Sequence, residues 1–363
     1  MNRKRVMFFL PLMTSGGAER VSINILNQLD RNIYEIHLVL GTLSGDAIHI
    51  LPKDVEVYDL KTPRTMFTAF KLRKLINQIK PYVIFSSLNR AHIALYFAMI
   101  GMKEKPKRVY RIPSSPKLTF QYNEMGSIFV LLLKHTLKNA DQIIAQTPEM
   151  KDEIEKYYSV KRNKIKVYIN PIDTVLIDES IHEPMDIFEK YHINVVASGR
   201  LRKEKGFDTL IRAFKIVYEN NKNFRLFIIG ADYDGEQKEY ETLRRELGLE
   251  NIVYFLGFQK NPYKFYWNSD LFVLSSRREG LPNTVLENLY LNKPVIGTRC
   301  IPFMSTLIKE GINGFLVDVD EYKKLAQAIL KFKDIENNVP FLDQSFLKKK
   351  DIFEQLESSI SKE

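Results

Sequence analysis

Short, largely apolar runs alternate along the chain with longer stretches in which apolar residues recur every three or four positions. In the first half the runs fall at residues 5–10, 36–40, 55–60, 83–86, 108–111, 142–145 and 166–168. In the second half they fall at 195–198, 225–229, 252–256, 271–274, 294–298 and 314–316. Their length and their punctuation by turn residues predict strands. The stretch 18–29, with Val21, Ile25, Leu26 and Leu29 on one side, predicts an amphipathic helix, as does the stretch opening at Gly206 with Phe207, Leu210, Ile211 and Phe214. Alternation of the two kinds of element is the pattern of doubly wound α/β domains.

A chain of 363 residues that is 45% apolar can bury two cores. The residues from 173 to 184 hold few large apolar side chains and no period, so they read as a linker between a first domain, 1–172, and a second, 173–363. The segment 346–360 reads as a final amphipathic helix. Charge is unevenly divided: residues 1–172 carry 27 Lys and Arg against 14 Asp and Glu, a net of +13, and residues 173–363 carry 27 against 30, a net of −3. Basic clusters such as Lys71-Leu-Arg-Lys74 lie near the apolar stretches 93–102 and 128–133. Anionic lipid attracts such a surface at about 1 kcal/mol per Lys or Arg, which predicts docking of residues 1–172 on an anionic membrane face. Cys300 is the single cysteine, which excludes a disulfide framework and suits a reducing compartment. Arg3-Lys-Arg5 before an apolar run imitates a signal peptide, but the run is short and lacks a small-residue cleavage site, so it reads as the first strand. No uncharged apolar stretch approaches the roughly 20 residues that cross a bilayer. The expected location is cytoplasmic, or peripheral on the inner face of the membrane.

Candidate chemistry gathers at three strand ends. The run 271–274 leads into Glu279-Gly-Leu-Pro-Asn-Thr-Val-Leu-Glu287 and then a helix-like stretch. One carboxylate thus sits on a loop at a strand's C-terminal end and the other two turns into the next helix. The helix N-terminus between them offers N–H groups and a positive dipole end to phosphate. Carboxylates beside it accept hydrogen bonds from sugar hydroxyls, so the arrangement suits a nucleotide sugar. In Val195-Val-Ala-Ser-Gly199-Arg-Leu-Arg-Lys-Glu-Lys205-Gly206 a strand ends at Gly199 and a basic loop follows. Arg200 and Lys205 flank that turn at the edge where open α/β sheets place ligands, and their charges suit phosphate oxygens. Arg202 and Lys203 read as solvated. The first strand runs into Met13-Thr-Ser-Gly16-Gly17, where two glycines allow close approach of a diphosphate. Lacking a third glycine at the needed spacing, this is not the dinucleotide fingerprint.

These stretches resemble the retaining glycosyltransferases of family 4, with the GT-B fold. The resemblance rests on Gly16-Gly17-Ala18-Glu19-Arg20, Asn170-Pro171-Ile172-Asp173, Gly199-Arg200 with Lys205-Gly206, Glu279 through Glu287, and Gly311-Ile-Asn-Gly-Phe-Leu-Val317, in family order across nearly the whole chain. It implies two Rossmann-like domains facing each other across a cleft, with the final helix returning to the first. It further implies transfer of a hexose or N-acetylhexosamine, with UDP favoured as carrier, to a glycan or lipid-linked acceptor in cell-surface polysaccharide synthesis, including lipopolysaccharide or capsule. Glu279, Arg200 and Lys205 take the catalytic roles. Gly16, Gly17, Gly199, Phe258, Leu281, Pro282, Asn283, Thr284 and Glu287 contact the donor. No metal and no cofactor is expected beyond the nucleotide sugar as co-substrate. The chain departs from the pattern at Tyr110-Arg111-Ile-Pro-Ser114, where relatives carry a histidine, with Arg111 or His92 as the available substitutes, and at Ser305-Thr306, where relatives carry a glutamate.

Other features carry less. Asp232-Tyr233-Asp234 matches a metal-binding pattern of a different transferase fold but lacks that context. The six histidines have no zinc-ligand spacing. Trp267, Tyr263 and Tyr266 read as helix packing. Two other readings are a nucleotide-sugar epimerase, which would want a further acid–base set, and a basic nucleic-acid-binding protein, which would want aromatics on its surface. No nucleic acid is expected as partner.

Overall fold

The structure, a computed structural model, describes residues 3–353 apart from 15, 46–47, 49–50, 63–67, 122–125, 189–190, 336–339 and 348–351. The chain divides into two compact units, residues 1–171 with 348–363, and residues 172–347.

The first unit is built on a parallel sheet of seven strands among the described residues. They are β1 (Lys4–Leu10), β2 (Tyr34–Leu40), β3 (Glu56–Asp59), β4 (Val83–Ser86), β5 (Lys107–Arg111), β6 (Gln142–Ala145) and β7 (Ile165–Val167), in spatial order β3-β2-β1-β4-β5-β6-β7. Its helices are α1 (Gly17–Gln28), α2 (Ala69–Ile79), α3 (Asn89–Ala98), α4 (Pro116–Gln121), α5 (Ser127–Lys138) and α6 (Pro148–Tyr158). Alternation along β1 supplies two cores. Met7 and Phe9 pack with Leu72, Ile76, Leu95 and Leu133 of the α2, α3 and α5 layer. Val6, Phe8 and Leu10 pack with Val21 and Ile25 of α1. Phe353 closes this second core, edge-on to Phe8, Tyr34 and Phe85 at ring-centroid distances of 6.3, 6.0 and 6.4 Å.

The second unit holds α7 (Thr174–Ser180) and six parallel strands among the described residues. These are β8 (Ile193–Ser198), β9 (Phe224–Ile229), β10 (Val253–Phe255), β11 (Leu271–Leu274), β12 (Val295–Thr298) and β13 (Gly314–Val317), in order β10-β9-β8-β11-β12-β13. Between them run α8 (Phe207–Asn220), α9 (Gln237–Glu246), α10 (Tyr263–Asn268), α11 (Asn283–Tyr290), α12 (Met304–Leu307) and α13 (Tyr322–Leu330).

Both sheets reverse their winding direction once: between β1 and β4 in the first, and between β8 and β11 in the second. In open α/β sheets the crevice at such a switch point, beyond the strands' carboxyl ends, is where ligands bind. The α/β architecture matches the sequence pattern in every strand; bounds differ by one or two residues.

Three expectations meet detail that the sequence did not show. The stretch 173–184 is not featureless, because the Asp173 side chain accepts the N–H of Leu176 at 3.1 Å and caps α7. Ile177 is the buried residue of that helix, and one apolar side chain gives no period to read. The segment belongs to the second unit, tied by Asn261 donating to the Ser180 carbonyl at 2.8 Å. The helix expected at 346–360 lies mostly outside the described residues; a 3₁₀ turn spans Gln344–Phe346, and Ile352 and Phe353 lie in the core of the first unit. Trp267, expected to pack its helix, lies half exposed under the Lys293 ammonium, 5.1 Å from the ring centroid, while Tyr263 and Tyr266 are buried as expected.

Candidate active site at the second switch point

Gly199-Arg200 follows β8 and Glu279 follows β11, the two strands that flank the second switch point. From β8 the chain passes through a 3₁₀ turn, Lys203–Lys205, to Gly206, whose φ of 64° lies in the left-handed region. A Cβ there would stand 2.2 Å from the Ser275 carbonyl oxygen, so only glycine lets this loop touch the end of β11. A similar approach brings Gly230, after β9, against Gly199, where a Cβ would stand 1.8 Å from the Gly199 oxygen.

The close approach places Lys205 Nζ 2.6 Å from Glu279 Oε1, with side chains 23% and 12% exposed. Ser276 Oγ donates to the same carboxylate oxygen at 2.7 Å. Glu279 Oε2 takes no hydrogen bond among the described residues, and an ammonium engaged once retains two N–H donors. The pair therefore keeps both an acceptor and a cationic donor for a ligand. Partial burial strengthens such a charge-assisted contact relative to one in water.

Around this pair the second sheet presents the other expected residues at its carboxyl edge. Arg200 lies with its guanidinium carbon 5.7 Å from the centroid of Tyr233, in the loop after β9. Gly257 has φ 64° and turns the chain so that Phe258 is partly exposed after β10. Leu281 and Pro282 are buried and lead into α11, where Asn283 and Thr284 are the first two residues. Helix geometry supplies no carbonyl to the N–H groups of that first turn. Glu287 is the fifth residue of α11, little more than one turn in rather than two, and is 1% exposed. Cys300, after β12, is also buried; burial first, and then the Glu279 carboxylate, push its thiol up to about 12. It stays protonated beside the site.

In the first unit Gly16 caps α1 in an extended conformation and Gly17 is its first residue. Both lie at the first switch point, and no left-handed turn is involved. Arg111, at the end of β5, is 2% exposed. Its Nη2 donates to Asn170 Oδ1 at 2.7 Å, and Asn170 Nδ2 to Gln146 Oε1 at 3.1 Å. Its Nε and Nη1 meet no acceptor among the described residues, and burial alone pulls the guanidinium well below its ordinary range. His92 is fully buried. Its Nε2 lies 3.1 Å from the Arg111 carbonyl and so carries the proton, while Nδ1 accepts from Ser86 Oγ at 2.7 Å. Stacked on Tyr110 at 4.6 Å and held neutral by burial, which pulls it down to about 3, it braces the strand ends.

The Asp-x-Asp loop is occupied otherwise. Asp232 accepts the N–H groups of Gly235, Glu236 and Gln237, and Asp234 pairs with Arg202 at 2.5 Å. No group of three or more His, Cys, Asp or Glu side chains gathers to hold a metal among the described residues.

Sequence reasoning missed Arg277. It grips Asp208 with both ends of its fork, Nη1 to Oδ1 at 2.9 Å and Nη2 to Oδ2 at 2.7 Å. No local signal announces a partner 69 residues away.

Residues 15–176 match the family described as Glycosyltransferase Family 4, and residues 178–340 match Glycosyl transferases group 1. An uncharacterized glycosyltransferase of Methanocaldococcus jannaschii is 36% identical over 244 residues, 64% of this chain and 59% of that protein, so the chain spans less than two thirds of that relative. The N-acetylgalactosamine-N,N'-diacetylbacillosaminyl-diphospho-undecaprenol 4-alpha-N-acetylgalactosaminyltransferase of Campylobacter jejuni is 29% identical over 337 residues, 90% of this chain and 89% of that one. Among solved structures, Anabaena HepE in complex with UDP and glucose superposes with a TM-score of 0.78 at 21% identity, over 99% of this chain and all of the other. The fold is GT-B.

Proposed function

The chain belongs to the glycosyltransferases, a Family 4 half followed by a group 1 half, and from that premise we propose a retaining, metal-independent transfer of a hexose or N-acetylhexosamine from a UDP-sugar to a glycan or lipid-linked acceptor. The observation that carries the reading is the Lys205–Glu279 pair at the switch point, with Arg200 on the loop after β8. In the proposed complex, Arg200 and Lys205 meet the diphosphate, where negative charge grows as the bond from the sugar's anomeric carbon to phosphate oxygen breaks. Preorganised donors at such a place are commonly worth about 3 kcal/mol each. Glu279 accepts a hydroxyl of the transferred sugar through Oε2, and Glu287 holds the ribose hydroxyls. The backbone at Asn283 and Thr284 faces the β-phosphate or the sugar; Gly199, Leu281 and Pro282 shape the pocket, and Phe258 lies against the base.

Retention follows if the acceptor oxygen attacks the face the diphosphate leaves. The acceptor's O–H proton passes to a phosphate oxygen as the new glycosidic bond forms, and UDP departs. Glu279 then acts by position and charge. The UDP and glucose bound by the Anabaena structure support the nucleotide, and the Campylobacter relative's diphospho-undecaprenol acceptor supports a lipid-linked substrate in cell-surface polysaccharide synthesis.

A lipid-linked acceptor would bring the first unit to a membrane surface. Neighbouring helices α2, α3 and α5 contain no Asp or Glu. They expose Phe70, Ile128 and Leu131, at 87, 78 and 68%, and Lys74 and Lys138 on the same helices are exposed too. Apolar side chains framed by cations are suited to anionic lipid. Among the described residues no helix is long and apolar enough to cross a membrane. Incubating purified protein with a UDP-sugar and acceptor, and reading the anomeric configuration of the product by NMR, tests the reaction class; an inverted product would refute retention.

A further inference from the structure

Three consecutive carbonyls of the loop after β8 are taken by two residues after β11, Ser275 and Arg277. Ser275 Oγ donates to the Lys205 carbonyl at 2.9 Å, the Arg277 backbone N–H to Glu204 at 2.7 Å, and Arg277 Nη1 to Lys203 at 2.5 Å. We propose that Arg277 is a positioning residue that fixes Lys205 against Glu279, an inference resting on the reading of that pair as the donor-side machinery. Arg277 lies two residues before Glu279. Its side chain, 25% exposed, runs back across the switch point, where the bidentate contact to Asp208 reaches the first turn of α8 just beyond Gly206. Nε donates to Asp320 Oδ1 at 2.7 Å, and Thr209 Oγ1 donates to the same oxygen at 2.9 Å. Asp320 holds a left-handed φ of 64° to meet them, a conformation that Asp tolerates better than most residues.

Every nitrogen of the guanidinium is engaged, and every partner flanks one side of the Lys205 loop or the helix it feeds. A planar fork fits this set, whereas an ammonium, a point charge with three divergent donors, cannot span it. With the guanidinium removed, the backbone contact to Glu204 and the Ser275 contact remain. The loop would stay folded but lose the constraint on where Lys205 Nζ stands relative to Glu279. Misplacement of a catalytic group by about 1 Å can cost on the order of 10²-fold in rate.

The test compares Arg277→Met, Arg277→Lys, Lys205→Ala and Arg277→Met/Lys205→Ala by release of UDP from UDP-glucose, UDP-galactose, UDP-GlcNAc and UDP-GalNAc. Thermal melting of each variant serves as the folding control. Arg277→Met is expected to lower kcat by about 10²-fold and to change donor KM by no more than about threefold, and Arg277→Lys to recover only part of the loss. In the Lys205→Ala background the same substitution should cost little more, because a residue acting through Lys205 has nothing left to position. A normal kcat for Arg277→Met, or a fully additive double variant, overturns the proposal while leaving the transfer site intact. If Lys205→Ala itself keeps full activity, the donor-site reading falls and this inference with it. Should Arg277→Met fail to fold, Asp208→Asn and Arg277→Lys decide: normal kcat in both overturns the assignment.

Discussion

Lys205 and Glu279, 74 residues apart in sequence, meet at 2.6 Å across the point where the second sheet reverses direction. The contact joins what sequence patterns treat as two motifs, a basic loop and a carboxylate loop, into one polar unit. Removing either partner should therefore do more than delete its own charge. Lys205→Ala and Glu279→Gln are each expected to lower turnover by about 10²- to 10³-fold. The double variant should lose less than the product of the two, and steady-state kinetics of all three measure that coupling. Strict additivity would mean that the two side chains serve the reaction separately.

Arg111 gives a prediction about stability that runs against activity. A buried guanidinium with one hydrogen bond and no ionic partner among the described residues costs more to bury than the bond to Asn170 returns. Arg111→Met should melt at the same temperature as the parent or higher, by on the order of 1 kcal/mol, while transfer falls. A lower melting temperature would identify the arginine as a brace for Asn170.

The Arg277–Asp208 contact sets an acid limit. Burial raises the Asp208 carboxyl, but the hydrogen bonds and charge of Arg277 outweigh it and leave the group below its usual range. The hydrogen bonds that Arg277 donates to Asp208 in turn raise the arginine. A depressed carboxylate contributes stability that is present above the unfolded pKa and lost as pH falls through the folded one. Asp208→Asn should thus melt lower than the parent at neutral pH, by roughly 1 kcal/mol for a partly exposed pair. The gap should close as both are acidified to about pH 3. Melting curves across that range read the effect, and a gap that widens with acid would contradict the sign.

Membrane docking by the first unit is testable through α5 alone. Ile128 and Leu131 are exposed and lie on one face of that helix, three residues apart. Ile128→Asp with Leu131→Asp should reduce sedimentation with anionic vesicles at least tenfold, since each apolar side chain contributes about 1.5 kcal/mol or more when buried. Parent binding should weaken with salt. Equal binding by the variant would place any membrane contact elsewhere.

The sheets were legible because parallel strands covered on both faces read as apolar runs that need no partner to be recognised. The β8 and β11 loops were legible for a related reason: Gly199, Gly206 and the flanking charges are fixed by local backbone demands. What the sequence did not disclose depends on distance. Arg277 carries no local sign of its partners, Asp208 and Asp320, which only the fold brings to it. α7 went unread because its one buried residue, Ile177, makes no period, and Asp173 alone marks its start. His92 looked available and is instead enclosed between Ser86 and the Arg111 carbonyl, contacts set by two different strands.

The most direct test of the central claim is UDP release from a panel of UDP-, GDP- and ADP-sugars by the purified protein, with and without EDTA, for the parent and Lys205→Ala. The account predicts slow hydrolysis of one UDP-sugar, unchanged by chelation and lowered about 10²-fold or more by the substitution. Activity abolished by EDTA, or retained in full by Lys205→Ala, would contradict a donor site whose own side chains carry the diphosphate charge.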